Sequence, residues 1–65
     1  MQGAGNAYHK RLAALRKQMK MTQRAMAERI GVTRSAYQKW EYGQRWPRPT
    51  HMDAIAVIRK EAASR

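Results

Sequence analysis

The sequence predicts an all-α domain of four or five short helices, and three observations carry that prediction. Apolar residues recur at helical spacing in four separate stretches. Residues suited to helix N-caps (Asn6, Thr22, Thr33 and Thr50) stand before those stretches, while Gly31 and Gly43 stand after two of them. No pair of segments alternates apolar and polar residues as strands do, and there is no internal repeat.

The glycine-rich opening, residues 1–6, lacks a pattern and is expected to form a flexible arm, leaving residues 7–65 for the domain. Asn6 would cap a first helix from about Ala7 to Lys20, with Tyr8, Leu12, Leu15 and Met19 on one face and Lys17 and Lys20 at its negative end. Thr22 would cap a second helix to about Ile30, whose inner stripe is Met26, Ala27 and Ile30. Gly31 is placed to end it in a left-handed conformation. Thr33 would cap a third helix through about Tyr42, burying Tyr37 and Trp40. The loop from Gln44 to Pro49 is polar and its two prolines block helix continuation. Thr50, with Asp53 three residues on, resembles a capping box for a fourth helix, whose apolar surface would be Met52, Ile55, Ala56 and Ile58 with Val57 at the margin.

With 65 residues the chain has room for one domain, and chains near this size bury only about 60% of their unfolded surface. There is no cysteine for a disulfide or thiolate zinc site, and His9 and His51 have no metal-ligand spacing. No metal, cofactor or small-molecule ligand is expected. Fourteen Lys and Arg against four Asp and Glu give a formal charge of +10, which concentrates polyanions. The chain lacks both the roughly 20-residue apolar run of a membrane span and a signal-peptide core, so a cytoplasmic protein is expected. Glu28, Glu41, Asp53 and Glu61 form no catalytic pair, and no glycine-rich phosphate loop is present, so the reading is non-enzymatic.

Only Gly31, Val32 and Thr33 separate helices two and three, the short sharp turn a helix-turn-helix needs. With Tyr37 and Trp40 turned inward, Arg34, Ser35, Gln38 and Lys39 face outward, and these side chains can reach base edges: Arg and Lys donate to guanine, and Gln pairs with adenine. Arg24 and Arg34 sit in the first turns of their helices, where positive charge is disfavoured unless an external anion compensates. Thr22 and Gln23 stand at a helix N-terminus, which offers backbone N–H groups to phosphate. Gln44, Arg45, Trp46 and Arg48 form a cationic, stiffened loop suited to clamping the duplex backbone, and Thr33 and Tyr42 at the two ends of helix three complete the phosphate-contact set. Glu41 would be repelled by DNA and is expected to turn inward to Arg16, tying helix one to helix three.

These residues have a family resemblance. Leu15-Arg16, Met21-Thr22-Gln23, Met26-Ala27-Glu28, Ile30-Gly31-Val32-Thr33, Tyr37, Trp40-Glu41, Gly43 and Pro47 together resemble the lambda-repressor-like family of phage repressors, Cro proteins and related XRE-type bacterial regulators. The resemblance covers about Leu12 to Ile58. It implies that the third helix enters the major groove of an operator half-site, with Arg34, Ser35, Gln38 and Lys39 reading bases, Gln23 on phosphate, and an Arg16–Glu41 ion pair between helices. It also implies a nucleoid-associated repressor of phage or mobile-element type, bound to double-stranded DNA as a homodimer on a near-palindromic operator. Two other readings stay open at this level: an antitoxin-type regulator that also binds a protein toxin, and a basic amphipathic peptide at membranes. Against the latter, the caps and glycine stops define four separate helices around a common core.

Overall fold

A computed structural model describes residues 4–64, in which four helices follow in order: α1 (Ala4–Gln18), α2 (Gln23–Ile30), α3 (Arg34–Glu41) and α4 (Pro49–Ala63). None of the described residues is in a strand, and no helix is long and apolar enough to cross a membrane.

The first helix is displaced from its expected bounds at both ends. It opens at Ala4, so Asn6 lies within it and is not its cap. Ala4 and Ala7 are strong helix formers and accommodate the extra turn despite Gly5. The arm expected over residues 1–6 is thus helical from Ala4, and residues 1–3 lie outside the described residues. At the other end the helix stops at Gln18, and Lys20 turns the chain in the left-handed region at φ 58°. Met21 N–H donates to the Arg16 carbonyl at 3.1 Å and Lys20 N–H to the Lys17 carbonyl at 3.0 Å, the two bonds of a Schellman turn. A lysine there carries a steric cost of about 1–2 kcal/mol that glycine avoids.

The helix-turn-helix segment follows its local chemistry closely. Thr22 Oγ1 accepts from Ala25 N–H at 3.0 Å, and Thr33 Oγ1 accepts from Ala36 N–H at 3.1 Å, so each hydroxyl satisfies a donor that the helix start would otherwise leave orphaned. Between them Gly31 adopts φ 98°, and both Gly31 and Val32 N–H groups donate to the Ala27 carbonyl. That tight reversal swings α3 across α2 and packs the two together.

The fourth helix starts differently from expectation. Thr50 is inside it; Arg48 is the N-cap residue, makes no side-chain capping bond, and is followed by Pro49 at the first helical position. Proline suits that position because its missing N–H is one the helix could not use and its φ is already helical. The proline expected only to block helix formation therefore opens a helix. The buried face agrees at Ile55 and Ile58 but differs elsewhere: Ala62 also points inward, whereas Met52, Ala56 and Val57 are exposed.

One apolar cluster unites the helices: Leu12 and Leu15 of α1, Met26, Ala27 and Ile30 of α2, Tyr37 and Trp40 of α3, with the three α4 residues. Tyr37 and Trp40 meet edge to face with centroids 5.9 Å apart, so α3 is anchored by its two largest side chains. With α3 held by this inner face, its opposite face is left for solvent or a ligand.

Trp40→Ala is expected to cost ~3–5 kcal/mol, comparable to the stability of a domain of this length. Urea denaturation followed by circular dichroism checks it, and a wild-type midpoint would place the indole outside the core. Lys20→Gly is expected to raise stability by about 1 kcal/mol by relieving the left-handed conformation; no gain in midpoint would mean that the turn is not left-handed there.

Candidate nucleic-acid interface

The α3 surface is built on a polar relay that begins beneath it. Arg16 of α1 donates from Nε to Glu41 Oε2 at 2.6 Å and from Nη2 to Oε1 at 3.3 Å, while its Nη1 donates to the Met21 carbonyl at 3.0 Å. Both side chains are largely enclosed, at 15% and 5% exposure. Glu41 Oε1 also accepts from Gln23 Nε2 at 3.1 Å, and Gln23 Oε1 accepts from Gln38 Nε2 at 2.9 Å. The acid among bases thus turns inward and spans α1, α2 and α3.

The relay has a direction. An ionised carboxylate only accepts, so Gln23 must present its amide nitrogen to Glu41 and its oxygen to Gln38. Gln38 must then answer with its nitrogen. Its Oε1 and its second N–H remain available, an acceptor–donor pair that matches the N6 and N7 edge of adenine. Gln38 is consequently half-buried and internally engaged, rather than free on the surface as its spacing suggested.

Burial alone would raise the Glu41 carboxyl pKa, but hydrogen bonds from Arg16 and Gln23 and the adjacent Tyr37 hydroxyl outweigh it and hold the carboxyl below its ordinary value. The hydrogen bond to Glu41 pushes the Arg16 guanidinium upward against its own desolvation. Burial, then proximity to Glu41, raises the Tyr37 phenol; its Oη is enclosed beside the ion pair without a well-formed hydrogen bond.

Outside the relay, the expected contact residues gather along α3 and the following loop. A cleft of about 340 Å³ is lined by Thr33, Ser35, Lys39, Arg45, Trp46 and Arg48, among others. It joins candidate base-reading and candidate phosphate-contact residues in one concavity. The side chains of Arg24, Arg34 and Gln44 are exposed and make no hydrogen bond or ion pair among the described residues. Neither α2 nor α3 has an acid in its first turn, so the N-terminal positive charge there is uncompensated from within. Tyr42, 60% exposed, borders a second, smaller cleft with Arg45 and Trp46.

Trp46 combines two environments. It is 59% exposed, yet its ring lies 5.6 Å from that of Tyr8 on α1, and the next residue, Pro47, is buried. The loop is thereby propped on α1. Tyr8 had signalled only core packing. His51 was assigned no role by its sequence context, but its ring lies 5.4 Å from Trp40 and it lines the main cleft. A signal for it exists in the spacing: His51, Ile55, Ile58 and Ala62 stand at i, i+4, i+7 and i+11, the true inner face of α4.

A fold of four helices whose second and third meet through a three-residue glycine turn defines the helix-turn-helix class of DNA-binding domain. A helix-turn-helix family model matches residues 12–58, and the chain belongs to that lambda-repressor-like, XRE-type family. It is 45% identical over 40 residues to an uncharacterized HTH-type transcriptional regulator, YqaE, of Bacillus subtilis (strain 168). That alignment covers 62% of this chain and 34% of the relative, so the matched segment spans about a third of the relative's length. No solved structure matches the chain.

The relay sets a pH dependence. A lowered carboxyl pKa contributes stability that is present above the ordinary value of 4.5 and is lost as pH falls through the lower folded value. Glu41→Gln is therefore expected to lower stability by about 2 kcal/mol at neutral pH, with the gap to wild type closing in acid. Thermal melts across that range test it; a gap independent of pH would mean that ionised Glu41 gives no net stabilisation.

Proposed function

We propose that this chain is a sequence-specific, double-stranded DNA-binding transcriptional regulator that places α3 in the major groove of an operator half-site. The observation that carries this is the cleft beside α3, where Ser35 and Lys39 share one concavity with Arg45, Trp46 and Arg48. Arg34, Ser35, Gln38 and Lys39 read base edges. Gln23, Arg24, Gln44, Arg45, Trp46, Arg48 and Tyr42 face the sugar–phosphate backbone, helped by the cap residues Thr22 and Thr33. The hydroxyls of those two caps accept from backbone N–H groups and keep their own hydrogens to donate to phosphate. The regulator is a repressor of phage or mobile-element type that occludes a promoter, bound as a homodimer to a near-palindromic site. The description of the Bacillus relative as a transcriptional regulator supports the regulatory part of this reading.

In-vitro selection of bound duplexes is expected to return a palindromic consensus; absence of enrichment would refute sequence-specific binding. On the selected site, Arg34→Ala or Lys39→Ala is expected to cost ~1–3 kcal/mol, with little loss on random duplex. Arg45→Ala should weaken all duplexes alike and flatten the slope of log affinity against log salt by about one unit. Equal losses on both duplexes would remove Arg34 and Lys39 from the base-reading set, and an unchanged slope would remove Arg45 from the backbone set.

A further inference from the structure

Five of the fourteen cations, Arg24, Arg34, Lys39, Arg45 and Arg48, belong to the interface just described, and Arg16 and Arg29 are paired with Glu41 and Glu61. A second group stands elsewhere: Lys10, Arg11 and Lys17 on α1 with Arg59 and Lys60 on α4. None of these five makes an ion pair among the described residues, and α1 contains no acidic residue at all. Lys17 and Lys60 lie in the last turns of their helices, where the dipole accounts for a cation. Arg11 and Arg59 have no such reason.

These two arginines line one groove of about 310 Å³ between α1 and α4, together with Ala14, Gln18, Ala62 and Ala63. No residue of α2, α3 or the 44–48 loop lines it. Two like charges facing each other across a groove with no acid between them are an unfavourable arrangement that a bound anion relieves.

The floor decides what kind of anion. Leu15 and Ala62 are already buried, so an occupant could cover little beyond the methyl groups of Ala14 and Ala63. Burial contributes only about 0.8 kcal/mol per apolar carbon, too little to seat a partner helix. Two unpaired arginines lining the groove, with Lys10, Lys17 and Lys60 elsewhere on the same two helices, instead match the phosphates of a duplex backbone. We propose that the α1–α4 groove binds the backbone of a second DNA duplex without regard to sequence, so that one domain bridges two duplex segments. This rests on the DNA-binding reading of the α3 face, and its grip is electrostatic and therefore steeply salt-dependent.

The test immobilises a duplex carrying the selected site, saturates it with the full chain at low salt, and measures retention of a fluorescent random-sequence duplex. Wild type is expected to retain it. Arg11→Gln/Arg59→Gln should lower retention about tenfold and flatten its salt slope by about two units, with affinity for the immobilised duplex within twofold of wild type. Lys10→Gln/Lys60→Gln, at exposed positions, should weaken retention in the same direction and serves if the arginine pair disturbs folding. Arg24→Gln/Arg45→Gln has the same net charge but should weaken the first duplex instead. Bridging is overturned if wild type saturates the first duplex and retains no second one, or if both α1–α4 variants retain it normally. Tighter binding of polyglutamate than of duplex at this groove would also overturn it, making the occupant an acidic protein segment. Failure to bind the immobilised duplex at all would instead sink the α3 reading on which the inference stands.

Discussion

The rest of the structure depends on where one carboxylate points. Glu41 stands at the end of α3 in a chain that carries ten excess positive charges, and it could have faced outward beside the very helix that presents them. Instead it lies almost enclosed between Arg16 and Gln23. Desolvation offsets much of the attraction within the pair, so its contribution to stability is limited to about 2 kcal/mol. Its larger effect is geometric. Three helices converge on it, and the orientation of two glutamine amides follows from the simple fact that a carboxylate has no hydrogen to give. The donor pattern at the surface is thus set by an acid beneath it.

Stability in so short a chain comes from covering α3 on one side. Tyr37 and Trp40 bind it to α1, α2 and α4, and threonine hydroxyls and left-handed turns close the helix ends. The loop after α3 has little apolar material of its own, so it relies on Pro47 in the interior and on the Tyr8–Trp46 ring contact. That contact makes α1 the support of a loop that is distant from it in sequence. The side chains offered to a ligand are then held from behind at both ends of the cleft.

Much of this was legible in the sequence because it is written in local chemistry. Thr22, Thr33, Gly31 and Gly43 mark their helix ends, and the inner residues of α2 and α3 follow from the 3.6-residue period alone. The Arg16–Glu41 juxtaposition was legible by charge: a lone acid on a basic helix needs a partner. What escaped was set by choices between equivalent local signals. Thr50 is a good cap, but Pro49 can open a helix one residue earlier; of the expected inner face Ile55 and Ile58 are buried, while Met52 and Ala56 are exposed and His51 and Ala62 lie inward instead. Lys20 gives no sign of a left-handed turn, because Met21 and Arg16 impose it from either side. Gln38 looks free along the chain, and only the fold brings Gln23 to it. The Tyr8–Trp46 contact has no local signal, since it joins the start of one helix to a loop far along the chain.

The two indoles of this chain live in opposite solvents. Trp40 is 5% exposed, sealed in the core against Tyr37 and His51, whereas Trp46 is 59% exposed at the rim of the cleft. The molecule therefore contains its own pair of optical reporters, one for the integrity of the fold and one for the occupancy of the surface. Unfolding wets the first, and a ligand laid against the loop dries only the second. A single emission spectrum, with no attached dye, distinguishes a domain that has lost its ligand from one that has lost its structure.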